Sequence, residues 1–488
     1  MLRPEGGERR ARCARAHAGG LGERPAREEC IMITMVERRT GHQLPAATRR
    51  AAVRSFAVLA GMAVLGACRP GQPVKEGAAP VAKKVQGRVE FWSNAGYPYT
   101  GRIGAKLVEE FQQRHPGVTI DYTDTTYSDF MQKLVTTTVG GTPPDISYID
   151  RYVTKSFACK GVLQPLDSYM KTSQVAKPDA FWPRLQFDIT YRGKVWGIPH
   201  GPDVGLVYYN KGAYREVGLD PERPPTTWDA AVTAIQRLMK RDASGALERI
   251  GWAPQHGWGV PWMVMYWQLG GELTNTEETQ AIFNNEKAVQ VFEWLLRVYD
   301  LQGGLGAIEE ALKGTNPYEA FANGKMSMVW ATHASWELTF KRATGIEIGI
   351  TYWPTPPTGQ RANYMGGWTL GIPRGAKNPD AAFAFLEFLC EDDPQIRWAH
   401  EWNNVPATKR AAQSERYLEG RPERKIAVQD MPVAKWVITA PGGDTALRYQ
   451  TGVARAILSG EKSVRVALEE HVRLVNEELS KAQAQCQV

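Results

Sequence analysis

Four tryptophans stand where a strand end or a glycine- or proline-flanked loop would leave an indole at a surface: Trp92, Trp262, Trp336 and Trp368. Polar partners accompany them. Asn94 follows Trp92, Tyr148 and Asp150 close a strand-like run, Asp203 follows Gly201-Pro202, and Gly367 immediately precedes Trp368. Flat aromatic rings cover the apolar ring faces of a sugar, and fixed carboxylates and amides engage its hydroxyls. This set of residue types is therefore suited to holding a carbohydrate. Each position also has a packing role open to it. Trp92 can serve the core of its strand, Trp262 precedes a helix, and Asp150 can cap one. Trp228 and Trp294 fall in amphipathic helices and Trp330 inside a strand, so these three are assigned to packing. His333, alone in its loop, is assigned a structural role.

The same groups raise a second function class, a secreted glycoside hydrolase or lyase. Hydrolysis needs two carboxyl groups flanking the scissile bond, and Asp150 and Asp203 would be the pair. The chain has no Gly-x-Ser-x-Gly elbow, no Walker-type loop and no His-Glu-x-x-His. No catalytic residue and no cofactor is assigned. Cys159, Cys390 and Cys486 form no Cys-x-x-Cys pair and have no histidine at ligand spacing, so no metal site is expected and no disulfide framework is implied. Cys390 follows an apolar helical run and reads as a buried small hydrophobe.

Charge is distributed unevenly along the 488 residues. Residues 1–67 hold 12 Arg and 6 acidic residues, whereas the remainder has 47 basic and 46 acidic residues. A nearly neutral body gives no reason to expect nucleic acid as a partner. Phe56 to Ala67 is an uncharged run of 12 residues behind Arg49, Arg50 and Arg54. That is short of the roughly 20 residues a membrane-spanning helix needs, and it fits the apolar region of a signal peptide. Leu65-Gly66-Ala67-Cys68 resembles a bacterial lipobox, which implies lipidation of Cys68 and display on the outer face of the cytoplasmic membrane or in the periplasm. Residues 1–67 are thus read as leader, with Met32 and Met35 offering shorter starts. Residues 68–87, the lipidated Cys and a Pro-, Gly- and Lys-containing stretch, are read as anchor and tether.

The body opens with alternating elements. Strands are expected at Arg88–Trp92, Val118–Tyr122 and Asp145–Ile149, with helices at Ile103–His115 and Phe130–Val139 between them. This order implies parallel pairing with right-handed crossovers, and ligands collect at the carboxyl ends of such strands. Thr227 is the expected N-cap of a further helix.

Four stretches, in this order and spacing, carry a likeness: VEFWSN with HPGVTIDY, GTPPDISYID, RGKVWGIPHGPDVGLVYYNKGAY, and MGGWTLGIPRGAKNPDAAFAFLEFL. Together they resemble the extracellular solute-binding proteins of carbohydrate-uptake ABC transporters, the family of maltose-binding protein, over roughly residues 86–480. The resemblance implies an α/β, type II periplasmic-binding-protein fold with two lobes. Each lobe would be a mostly parallel sheet flanked by helices, joined by hinge crossings, one of them at Gly197–Asp203. Lobe 1 would comprise 88–198 and 366–425, lobe 2 199–365, and 426–488 would be C-terminal helices closing onto lobe 2. It also implies ligand contacts from Asp203 and stacking from Trp262 and Trp336. The partners implied are a carbohydrate ligand, the transmembrane permease subunits of an ABC importer, and the membrane through the lipid anchor, with the chain itself monomeric.

Overall fold

The computed structural model describes residues 85–93, 103–124, 127–256, 260–332, 335, 340, 343 and 345–486. Cys68 and the leader, Asn94, His333 and Trp336 lie outside these residues.

The first expected elements are present. Strand β1, Gly87–Ser93, alternates buried Val89 and Phe91 with exposed Arg88 and Glu90. That period of two sets one face against a core. Helix α1, Ile103–Arg114, buries Ile103, Leu107 and Phe111, one stripe at helical spacing. Strand β2 is Val118–Asp124, helix α2 Tyr127–Val139 and strand β3 Ile146–Asp150. β1 pairs in parallel with both β2 and β3. Asp145, just before β3, is buried. One of its oxygens accepts from the Glu90 backbone N–H at 3.0 Å and the other from Asn378 N–H at 2.6 Å. The Asp of the GTPPD run is therefore a structural clamp between β1 and the start of the helix Pro379–Phe388.

Nine further strands follow among the described residues: β4 Thr190–Tyr191, β5 Lys194–Val195, β6 Ile198–Asn210, β7 Lys240–Arg241, β8 Leu247–Trp252, β9 Met326–Thr332, β10 Ile348–Thr351, β11 Asn363–Gly371 and β12 Ala434–Lys435. β4 and β5 pair only with each other. The rest join one mixed sheet in the order β2-β1-β3-β11-β6-β9-β8-β7, with β10 on β6 and β12 on β11. Thr227 caps the helix Trp228–Leu238 by accepting from Ala230 N–H.

Gly197–Asp203 is not a break between two strands. β6 runs unbroken for 13 residues and changes partner along its length. Residues 198–204 pair with β11 and residues 205–209 with β9. Pro199 and Pro202 signalled a break because proline lacks a ladder donor. They fit here in the half of β6 that β9 does not reach. β11 carries a register shift between Gly366 and Trp368, so Gly201 and Pro202 together face Gly367, the two-against-one count of a β-bulge.

The hydrophobic cores follow this change of partner. One contains Phe91, Phe111, Tyr148, Val204, Met365, Phe385 and Met431, and a small cluster on the other sheet face holds Phe130, Ile149, Phe157 and Trp196. The other large core runs from Leu206 to Tyr364 and from Trp436 to Leu479. The chain thus passes between lobes at Val204/Leu206, Tyr364/Met365 and Ala434/Trp436. The helix Pro422–Asp430 packs into the first core, whereas the helices Gly443–Leu458 and Val464–Ala484 pack into the second.

Cys159 and Cys486 are joined in a disulfide, a pairing not implied by their spacing in sequence. Nothing local marks a bond whose ends lie 327 residues apart. Cys390 is free and buried.

Gly205 sits at the partner change. A Cβ there would lie 2.4 Å from Trp330 Nε1. Overpacking of this kind costs about 1–3 kcal/mol, so Gly205→Ala is expected to lower the urea midpoint without changing the slope of the transition.

Candidate functional site

The lobe 1 side of the site is built on three adjacent strands. Asp150 of β3 pairs with Trp368 of β11, and Trp368 pairs with His200 of β6. The next rung pairs Gly366 with Asp203. Three residues expected at a site, Asp150, Asp203 and Trp368, thus come from distant parts of the chain to two neighbouring rungs.

Trp368 is half-buried and stacks on Tyr148, with ring centroids 5.0 Å apart and planes at 19°. Tyr148 is 1% exposed, and its hydroxyl lies 3.3 Å from His200 Nδ1. Trp398, from the helix Asp392–Trp402, meets the His200 ring edge-on at 4.6 Å. Burial lowers the His200 pKa to about 3, so its imidazole is neutral. Tyr148 therefore backs one face of the Trp368 indole.

Gly366 and Gly367 have separate steric duties. A Cβ on Gly366 would lie 2.2 Å from Asp203 Oδ1, so its absence seats the carboxyl against β11. Gly367 has φ +130°, and a Cβ there would lie 2.6 Å from Arg151 Nη1 and 2.8 Å from Pro202 Cα. Only glycine combines that conformation with that approach. Gly367, expected at the ligand, instead makes room for Arg151.

Arg151 is fully buried in the three-residue 3₁₀ turn after β3. Its Nε donates to Asp188 Oδ2, and Nη1 and Nη2 donate to the carbonyls of Gly366 and Met365, each at 2.9 Å. Asp188 also pairs with Arg184 at 2.8 Å. The guanidinium thus fastens β3 to β11 opposite the bulge in β6. Sequence reasoning passed over it, since an arginine after a strand carries no mark of burial.

Asp203 is the electrostatic centre. Burial raises its pKa to about 6, opposed by the Thr332 hydroxyl, the Arg151 cation and the backbone N–H groups of Asp203 and Gly366. Its Oδ1 is shut off from solvent and has no hydrogen-bond partner. Its negative charge also reaches Tyr318 and Tyr364, whose hydroxyl pKa values burial has already raised.

On lobe 2, a cavity of about 540 Å³ is lined by residues that include Gln255, His256, Tyr299, Glu309, Thr451 and Arg455. His256 Nδ1 lies 2.8 Å from the Tyr299 hydroxyl, and Arg455 pairs with Glu309 at 2.7 Å. Gln255 Nε2 is buried without a partner. None of these residues was picked out from sequence, where each is an ordinary helix or loop residue.

The other two tryptophans stand apart. Trp262 is 0% exposed, packed against Phe283 and Phe292, and its indole donates to the Gln450 carbonyl at 2.9 Å. In this structure it is a core residue of lobe 2. Trp92 is half-buried on the opposite face of the sheet from Tyr148, with the Lys133 ammonium 4.2 Å from its ring centroid.

Breaking a buried ion pair strands its partner and costs about 3–5 kcal/mol. Arg151→Met is expected to destabilise toward the lower end of that range, because Arg184 still partners Asp188. Adding Asp188→Leu should recover part of the loss, as read by chemical denaturation of both variants.

Comparison with known proteins fits this arrangement. The profile of the bacterial extracellular solute-binding protein family matches residues 98–396. A mannitol-binding protein of Pseudomonas aeruginosa is 23% identical over 356 residues, 67% of this chain and 75% of that protein. The sn-glycerol-3-phosphate-binding periplasmic protein of Shigella dysenteriae is 23% identical over 366 residues, 70% of this chain and 80% of that protein. The sugar-binding protein MalE of Xanthomonas citri has the same fold, with a TM-score of 0.70 at 19% identity, covering 81% of this chain and 98% of that one. With its profile matched over more than half its length and its fold shared, the chain belongs to the bacterial extracellular solute-binding protein family.

Proposed function

We propose that this protein captures a neutral carbohydrate or polyol between its lobes and delivers it to the permease of an ABC importer. The observation that carries this reading is the juxtaposition of Trp368 and Asp203 beside the Val204/Leu206 crossing. A half-buried indole backed by Tyr148 suits a sugar ring, and a carboxylate on the neighbouring rung suits its hydroxyl. Asp150 lies on the adjoining rung. The polar cavity on lobe 2 would supply contacts from that lobe. Asn94 and Trp336 are proposed as further contacts from their places in sequence. Closure then follows from the ligand's greater affinity for the state in which both lobes touch it.

A neutral ligand is favoured over a phosphorylated one. Among the described residues of this cluster, Arg151 is the guanidinium at hand, and all three of its nitrogens are engaged with Asp188 and two carbonyls. A binding role is favoured over hydrolysis because the family is one of solute-binding proteins. The disulfide fits export to an oxidising compartment. No helix among the described residues is long and apolar enough to cross a membrane. From the Leu65-Gly66-Ala67-Cys68 run, the proposed attachment is the lipid on Cys68, with a monomeric body on a tether.

The first test is titration calorimetry with mannitol, mannobiose and maltose. A charge-assisted hydrogen bond is worth about 1.5–3 kcal/mol. Asp203→Asn should therefore weaken binding roughly ten- to a hundredfold. Turnover of the sugar, or unchanged affinity in that variant, would sink the reading. The pH dependence has a definite sign. The folded-state pKa of Asp203, about 6, lies above its ordinary value of 3.8. Its contribution to the stability of the empty protein is thus full below about pH 4 and lost as pH rises through 6. A hydroxyl donor favours the carboxylate, so sugar affinity should rise from pH 5 to 7, and Asp203→Asn should flatten that rise.

The anchor is tested separately. Cys68→Ser should release the protein from the membrane fraction and remove the lipid mass from its N-terminal peptide. Retention at the membrane without a mass change would count against lipidation.

A further inference from the structure

Cys159 ends the helix Thr154–Cys159, whose Phe157 and Ala158 belong to the outer-face cluster of lobe 1. Cys486 follows the helix Val464–Ala484, whose Leu468, Val475 and Leu479 belong to the lobe 2 core. Their disulfide, with Cα atoms 4.7 Å apart, is therefore a covalent link between lobes in addition to the three chain crossings.

Polar contacts surround it. Ser156 Oγ donates to Asp444 Oδ1 at 2.6 Å and accepts from Gly442 N–H at 3.2 Å. Gly442 lies so close to the C-terminal helix that a Cβ would stand 2.6 Å from the Glu478 carbonyl oxygen. Lys155, 2% exposed, pairs with Glu278 of lobe 2, whose other oxygen accepts from Thr439 Oγ1 at 3.3 Å. One short helix of lobe 1 is thus held to three segments of lobe 2.

Rotation of the lobes must respect this link. Disulfides span Cα separations of about 4.4–6.8 Å, which leaves the two ends about 2 Å of play. A rotation that would change this separation by more than that requires the helix Thr154–Cys159 to travel with lobe 2.

We propose that the Cys159–Cys486 disulfide is the pivot of lobe rotation and limits how far the empty protein opens, so that its redox state sets the open geometry. This rests on the two-lobed fold and on no particular ligand.

The test uses the full chain without ligand. Ketone-bearing amino acids replace Val139 on lobe 1 and Val466 on lobe 2, which are 80% and 53% exposed. Nitroxides attached to them leave the thiols untouched. Pulsed dipolar spectroscopy should give a narrow distance distribution in the oxidised protein. After phosphine reduction at low temperature, and in Cys159→Ser/Cys486→Ser, it should broaden and move by several ångströms while the circular dichroism is unchanged. Lys155→Met/Ser156→Ala, which keeps the disulfide, should stay narrow. Identical distributions in oxidised and reduced folded protein would overturn the proposal. So would unfolding of both the reduced protein and the serine variant, which would make the bond a requirement of folding instead of a pivot. Absence of sugar binding would count against the proposed function and leave this result standing.

Discussion

Two paired strands belong to both halves of this molecule, and the rest of the structure is arranged around that constraint. β6 is clothed by one core up to Val204 and by another from Leu206. β11 makes the reverse passage between Tyr364 and Met365. Backbone hydrogen bonds tie the strands to each other across the seam, so a change in the angle between lobes must be absorbed in their twist. The bulge at Gly366–Trp368 is suited to this, since it interrupts the ladder where the cores change over. Pro199 and Pro202 add no donors to satisfy on the edge of β6 that β9 does not reach. The hinge is thus a property of how a continuous strand is packed, with no flexible linker in it.

Arg151 turns the bulge into a site. A buried guanidinium is tolerated only when its donors are met, and these reach Asp188 and two carbonyls of β11. By drawing Met365 and Gly366 toward β3, it holds the glycine surface on which Asp203 lies. The same cation steadies the Asp203 carboxylate against the cost of burial. One side chain therefore bears on both the shape of β11 and the charge of Asp203 beside it. Its neighbour Asp188 meets Arg151 with one oxygen in the interior and the partly exposed Arg184 with the other.

Much of this was legible in the residues. Apolar alternation in RVEFW and VTIDY marked β1 and β2, and ordered motifs marked the family, because strand faces and turn glycines leave short-range patterns. Asp150, Asp203 and Trp368 were readable as polar or aromatic residues at strand ends or next to glycine. Trp262 was misread because its flank, Gly-Val-Pro, resembles a loop. The proline instead starts the helix Pro261–Gln268, all eight residues of which are buried. Gly367 was read as a ligand contact, and the structure shows its missing side chain making room for Arg151. Arg151, His200, the disulfide and the lobe 2 cavity were illegible because each is defined by partners far along the chain. The partner change within β6 was hidden likewise, since proline signals a break more strongly than pairing on one edge signals continuity.

The energetics of Asp203 explain why such a site suits reversible capture. A buried carboxylate oxygen lacking a donor leaves roughly 1–3 kcal/mol of interaction unmade in the empty protein. Part of that cost is relieved by proton uptake, which is why its pKa moves toward neutrality. On the proposed reading, a rearrangement that uncovers Oδ1 would let a ligand hydroxyl supply the missing donor and displace the proton. The favourable term is therefore reserved for the bound state. Because the carboxyl lies beside the strand crossing, a ligand drawn to it also meets the surfaces that approach when the lobes rotate. Aromatic stacking on Trp368 adds affinity with little demand on linkage or anomeric configuration, whereas the hydrogen bond to Asp203 demands a donor at a fixed place. On the proposed reading, affinity and selectivity would reside on different residues of neighbouring rungs, and each could change while the strands that position both stay as they are.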